Sequence, residues 1–236
     1  MTPQSTITAS INGKQVPRTD VRKWEARRAK AVLKKFASRL GSLAIAEISP
    51  GLDLDAVLHS ELDVQRQALL TLKTGLGHAG MYAMLRREIA ASERISRTAV
   101  AASRGRAARS VTQLTAPGVS AEGFAGWFND LTAVNDEANM LDAMPDHYLL
   151  RGLPDGRQEV VETTGGSPAP TRFVVDYSTA ERLTTQADPE YPITFPPASS
   201  VPALTTRKTL PAAAAMSFRQ RWSALWWGTP ASPMSW

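Results

Sequence analysis

Apolar and polar residues alternate at the start of the chain, where Ile7, Ala9 and Ile11 are separated by Thr8 and Ser10, and Asn12-Gly13 follows. Alternation of period two predicts a strand, and Asn-Gly tolerates the positive φ of a type I′ turn. Residues 5–16 therefore read as a small hairpin that ends before Pro17. The period then lengthens. Asp20 is placed to cap a helix, and beyond it Trp24, Val32, Phe36, Leu40 and Leu43 fall near helical spacing on one apolar stripe. Pro50-Gly51 ends that segment.

A second helix is expected from Asp53 or Asp55, acids that suit the positive end of a helix, with Val57, Leu58, Leu62, Gln65, Leu69 and Leu72 continuing the pattern. The run Gly75-Leu76-Gly77-His78-Ala79-Gly80 interrupts it, and a further helix runs from Met81 through Leu85 and Ile89 to Ile95. Ala99–Arg109 has little apolar periodicity and reads as a solvated helix end or linker. After Pro117-Gly118, the residues Phe124, Trp127, Phe128 and Leu131 predict one more amphipathic helix, from Ser120 to about Ala143.

Beyond Pro145 the period returns to two. His147–Leu153 and Arg157–Thr164 flank a Pro154-Asp155-Gly156 turn, and Thr171–Tyr177 makes a third strand. Short loops between consecutive strands imply an antiparallel meander. From Asp188 the chain is Pro-rich and is expected to run extended. In the tail, Phe218, Trp222, Leu225 and Trp226 share one helical face, which predicts an aromatic helix over Ala212–Trp227. The fold class is thus α+β, with a basic helical region (1–119), an acidic helix plus meander (120–190) and a Pro-rich, Trp-rich end (191–236) in one compact unit.

Charge sharpens this division. Residues 1–119 carry 19 Lys/Arg against 9 Asp/Glu, whereas residues 120–190 carry 4 against 13. A chain polarised in this way either brings its halves together, within one molecule or between protomers, or turns the basic half toward an outside polyanion. The eight Lys/Arg of residues 21–40 could follow phosphates. No helix-turn-helix, zinc finger or aromatic stacking set accompanies them, so nucleic acid is disfavoured as a partner. Cysteine is absent, which removes disulfides, thiol catalysis and Cys-based zinc sites and fits a reducing compartment. With no secretion leader and no long apolar run, the chain is expected to be cytoplasmic.

Two constellations carry chemistry. Gly75-x-Gly77-x-x-Gly80 matches the dinucleotide fingerprint as a string, but the fingerprint needs a strand before it and an acid some twenty residues on. A helix break that allows close packing explains it better, and no cofactor and no metal are expected. A glycine inside a helix costs about 1 kcal/mol relative to Ala, so replacing Gly77 is expected to change stability only modestly, with a gain where φ is negative. His78, inside the same turn, reads as a helix-terminal or surface histidine.

The second constellation is Asp146-His147-Tyr148, at the start of the meander just after Pro145. A carboxylate beside His147 tunes it as a general acid or base near neutral pH. On that reading His147, Asp146 and Asp176 are the catalytic candidates, and Tyr148, Glu162, Tyr177 and Trp127 line a pocket closed by the Phe124–Leu131 helix. The competing assignment makes Asp146 a turn cap, packs His147 at the sheet edge and puts the tyrosines in the core.

Two functional classes follow: a small-molecule-binding protein, with or without catalysis, whose pocket lies near His147; or an interaction protein that binds a macromolecule or a second copy of itself through basic helices and an aromatic tail.

Overall fold

The computed structural model describes residues 7–102, 104, 108–163, 167, 169–176, 198–200, 205–207 and 215–222. A hairpin of β1 (Thr8–Ile11) and β2 (Lys14–Val16) opens the chain. Its turn residues Asn12 and Gly13 have φ of +50° and +81°, as a type I′ turn requires. Three helices follow: α1 (Arg18–Ile48), α2 (Leu54–Leu58) and α3 (Leu62–Ala102). Strand β3 (Ala108–Thr115) then leads to α4 (Ala121–Ala133) and α5 (Glu137–Asp142). Strands β4 (His147–Gly152), β5 (Gln158–Glu162) and β6 (Thr171–Asp176) form the meander, and β7 (Ala198–Ser200), β8 (Thr205–Arg207) and β9 (Ala215–Trp222) complete the chain. The molecule is α+β, as its periodicity predicts, and no helix among the described residues is long and apolar enough to cross a membrane.

Two antiparallel sheets result, ordered β2-β1-β3-β9 and β4-β5-β6-β7-β8. The first contains two departures from expectation. Helix α3 reaches Ala102 within the expected helix end. Ala108 and Arg109, expected as linker, instead open a strand that runs to Thr115, where no element was expected, because β1 offers it a partner (Ala9 opposite Leu114). Ala215–Trp222 is likewise a strand and not an aromatic helix, paired along its whole length with β3. Residues 223–236, including Trp226 and Trp227, lie outside the described residues, as does most of the Pro-rich stretch.

The main core joins helices to meander. Val32, Leu33 and Phe36 of α1 and Leu69, Leu72, Met81 and Leu85 of α3 pack with Tyr148, Leu149 and Val161 of β4 and β5. At roughly 1.5–3 kcal/mol for each large side chain fully buried, this cluster dominates the folding energy. A bulge between His147 and Leu149 lets the neighbours Tyr148 and Leu149 both enter it, where strict alternation would turn one of them away. Central β5 is buried throughout, with Met140, Leu141, Leu150, Val160 and Val175 in a second cluster. The α1 stripe holds for Val32 and Phe36 but fails at Leu43, which is 82% exposed. A kink at Gly41 (φ +75°) shifts the helical phase and turns Ile45 inward instead. Helix α2 starts as expected, with the Asp53 carboxylate accepting from Asp55 N and Ala56 N.

The two oppositely charged halves meet within the chain. Arg28 of α1 makes a two-pronged pair with Asp146 (Nε–Oδ2 2.7 Å, Nη2–Oδ1 2.6 Å), and Arg66 of α3 bonds Asp142 (Nη2–Oδ2 2.8 Å). Asp146 has no exposure at all. On the sheet, Glu159 is 1% exposed and accepts from Arg151 Nε (2.7 Å), Arg172 Nε (2.6 Å) and the Tyr82 hydroxyl of α3. Burial pushes the Glu159 carboxyl up, but these three donors outweigh it and hold the group below the usual carboxylate range. Burial and the hydrogen bond to Glu159 push Tyr82 up to about 12.

Two stability predictions follow from this architecture. Asp146→Ala leaves the Arg28 guanidinium half-buried without its partner and is expected to cost about 3 kcal/mol, read as a lower urea midpoint at unchanged slope. The Arg28→Met/Asp146→Leu double variant should recover most of that loss, and a single-variant cost under about 1 kcal/mol would reduce the pair to a surface contact. Gly77, inside α3, has φ +62° and ψ −177°, a region open essentially to glycine alone. Gly77→Ala should therefore destabilise by about 2 kcal/mol, against the modest change expected for a helical glycine; a higher melting temperature would refute this.

Candidate functional site

The glycine run shapes the site. Residues Ala68–Leu72 are helical, so the strand required by the dinucleotide fingerprint is not there. Instead Gly77 breaks α3 into two helices with its left-handed φ. A Cβ at Gly75 would collide with Ile48, and one at Gly80 would meet Leu76 Cγ at 2.7 Å, so both glycines permit close packing. The kink opens a cavity of about 230 Å³ between α3, α5 and β4. Its walls are Lys73, Thr74, Gly77 and His78 of α3, Glu137 and Leu141 of α5, and Tyr148, Leu149 and Leu150 of β4.

Lys73 is the unusual member, at 3% exposure. Its Nζ donates to the carbonyls of Leu141 (3.2 Å) and Met144 (3.3 Å), at and just past the end of α5. The last carbonyls of a helix have no partner of their own and carry its negative dipole end, which favours a cation there. Burial nevertheless pushes the Lys73 amine down to about 7, against the pull of Asp146 and Asp142 and with a further push from Arg66.

Across the cavity wall, His78 Nε2 lies 2.6 Å from Glu137 Oε2. Glu137 stands in the first turn of α5, which is capped by the Asp136 side chain accepting from Asn139 N. Its other oxygen accepts from Asn135 Nδ2 (2.8 Å), and Asn135 Oδ1 accepts from Gly152 N (2.5 Å), which ties the α4–α5 turn to the end of β4. Tyr148 is 2% exposed, with Lys35 Nζ 5.3 Å from its ring centre; burial first, then Asp146, push its hydroxyl well above the usual phenol range.

The residues singled out from sequence fall in several places. Tyr148 lines the cavity; His147 does not. The His147 ring is held on both sides, with Nδ1 2.8 Å from the Met140 carbonyl and Nε2 3.1 Å from Glu162 Oε2. A carbonyl only accepts, so Nδ1 carries a proton, and the Glu162 contact needs another on Nε2 or on the carboxyl. Asp146 is committed to Arg28. Asp176 sits at the opposite end of the meander. His147 pairs with Glu162 and Glu162 with Thr171, so Asp176 is five residues further along β6, about 17 Å away. Trp127 is 53% exposed on α4, its ring 5.5 Å from that of Phe124, and the cavity is closed by α5 and not by the Phe124–Leu131 helix. Tyr177 lies outside the described residues.

Sequence reasoning passed over Lys73; His78 is the helix-terminal, partly exposed histidine it expected, at the start of the second α3 helix. The signal for Lys73 was present: it stands four residues after Leu69 and eight after Gln65, a charge on the buried stripe of α3. Among the described residues no group of three or more His, Asp or Glu is arranged to hold a metal ion. Comparison with known proteins adds no relative: no family model, no curated protein and no solved structure matches the chain.

The buried lysine makes a pH prediction. Its folded-state value of about 7 lies below the ordinary 10.5, so the unfolded chain binds the extra proton between those limits. Stability should rise as pH increases through that window. Measured from pH 7 to 9, below the range where tyrosines ionise, the melting temperature should climb, and Lys73→Met should flatten the slope. An unchanged slope in the variant would assign the effect to other groups.

Proposed function

We propose that this protein binds a small polar molecule in the cavity at the α3 kink, held by Lys73 and the His78–Glu137 pair. The observation that carries this reading is a lysine 3% exposed on the wall of a 230 Å³ space. Burying an amine is costly, and an ionisable group perturbed by burial in a cleft is a candidate for a functional site. The space is below the range of roughly 300–1,000 Å³ typical for drug-sized ligands. An apolar cavity of about 150 Å³ binds benzene, so this space suits a molecule somewhat larger than that.

Charge narrows the chemistry. The positive end of the second α3 helix, which begins at His78, favours a group that carries negative charge or accepts hydrogen bonds. Leu141, Leu149 and Leu150 supply an apolar side. Small carboxylic acids combine these properties. His147, Asp146 and Glu162 then serve as positioning residues: they fix the entry of β4 and the end of α5, the two elements that face Lys73 across the cavity.

The test is a panel of acetate, lactate, pyruvate and succinate against the nitrogen-15-labelled chain. At least one should give a saturable spectral change centred on residues 73–80 and 137–150. The same ligand should stabilise the fold by about 2.7 kcal/mol at a hundredfold excess over Kd. Leu150→Phe, which fills the cavity from β4, should abolish the response. Saturable changes confined to other regions, or none with any of the four acids, would overturn the reading.

A further inference from the structure

We propose that Lys73 is a nucleophile that forms an imine with small carbonyl compounds, 2-oxo acids above all, a role that rests on the cavity being a ligand site. The hydrogen-bond geometry points this way. Nζ has two acceptors, the carbonyls of Leu141 and Met144, and is shielded from solvent. The two carbonyls fix the nitrogen on the wall of the cavity, and its burial there favours the free base over the ammonium. A desolvated amine is the activated form of a lysine nucleophile.

The remaining parts of the reaction are on the same walls. The Nζ lone pair adds to the carbonyl carbon; a C–N bond forms while the C=O π pair moves to oxygen, which takes up a proton. The resulting carbinolamine loses that oxygen as water, and the nitrogen loses its protons to leave a C=N bond. Amine plus carbonyl compound gives imine plus water, with no change of oxidation state. The His78–Glu137 pair, 2.6 Å apart, can give a proton to the departing oxygen and receive the one released from nitrogen. Both residues line the cavity with Lys73, and so does Leu141, whose carbonyl orients the amine.

Reductive trapping tests the proposal on the full chain. The protein is incubated at pH 8 with pyruvate, or with lactate, which has the same skeleton but no carbonyl, and sodium cyanoborohydride is added. At that pH a lysine titrating near 7 presents on the order of 100-fold more free amine than an ordinary lysine. Of the seven lysines, Lys73 should therefore carry the reduced adduct in at least about tenfold excess, as read by peptide mapping. Lactate should yield no adduct and should slow trapping by pyruvate, and Lys73→Arg should remove the adduct. Peptide mapping of the unmodified sequence needs no variant, so the result stands even if Lys73→Arg folds poorly. An adduct spread evenly over the lysines overturns the proposal. If pyruvate and lactate both perturb the spectra of residues 73–80 but nothing is trapped on Lys73, the cavity is a binding site and the imine chemistry is wrong. If neither acid perturbs those residues and nothing is trapped, both readings fall.

Discussion

A buried carboxylate group is costly unless a partner is brought to it, and Asp146 obtains Arg28 from a helix 118 positions earlier in the chain. That single pair fixes where α1 meets the entry of the meander. Around it the other cross-links fall into place: Arg66 on Asp142, Lys73 on the end of α5, and His78 on Glu137. Each joins the basic first half to the acidic second half. Part of the charge asymmetry is satisfied inside the molecule: Arg28, Arg66 and His78 reach acids on α5 and at the entry of β4, whereas Lys35 and Arg39 pair with Glu88 within the first half.

The same arrangement sets the electrostatics of the cavity. Asp146 and Asp142 pull the Lys73 amine toward its charged form, but burial outweighs them and Arg66 pushes the same way as burial. Arg66 does so while it holds Asp142, so one of the arginine pairs bears on the amine although it does not line the cavity.

How much of this was legible depended on whether the signal was local. The β1–β2 turn, the Asp53 cap and the three meander strands are written in short stretches with their own turn chemistry, and all three were read correctly. Strand β3 was not, since its partners lie about a hundred residues away in both directions and nothing local marks it. The β9 segment shows a different failure. Met216, Phe218 and Trp222 alternate at period two, yet Phe218 and Trp222 are also one helical turn apart, so the spacing fits either element and pairing with β3 decides it. Asp176 was misplaced by strand parity: in an antiparallel meander the start of the first strand neighbours the start of the third, not its end. Sequence reasoning fastened on His147 because histidine beside a carboxylate suggests catalysis, while Lys73, a charge on an apolar stripe, asked for more explanation.

Helix α3 is two rigid rods joined at a single residue, Gly77. The first rod is bolted to α1 and α5 through Arg66, which bonds both Glu25 and Asp142. The second is bolted to the meander through Tyr82 on Glu159 and Ser92 on Thr171. The angle at the joint is therefore held from both sides, by one set of contacts to the helices and by another to the sheet, and the space that lines the joint owes its shape to both layers.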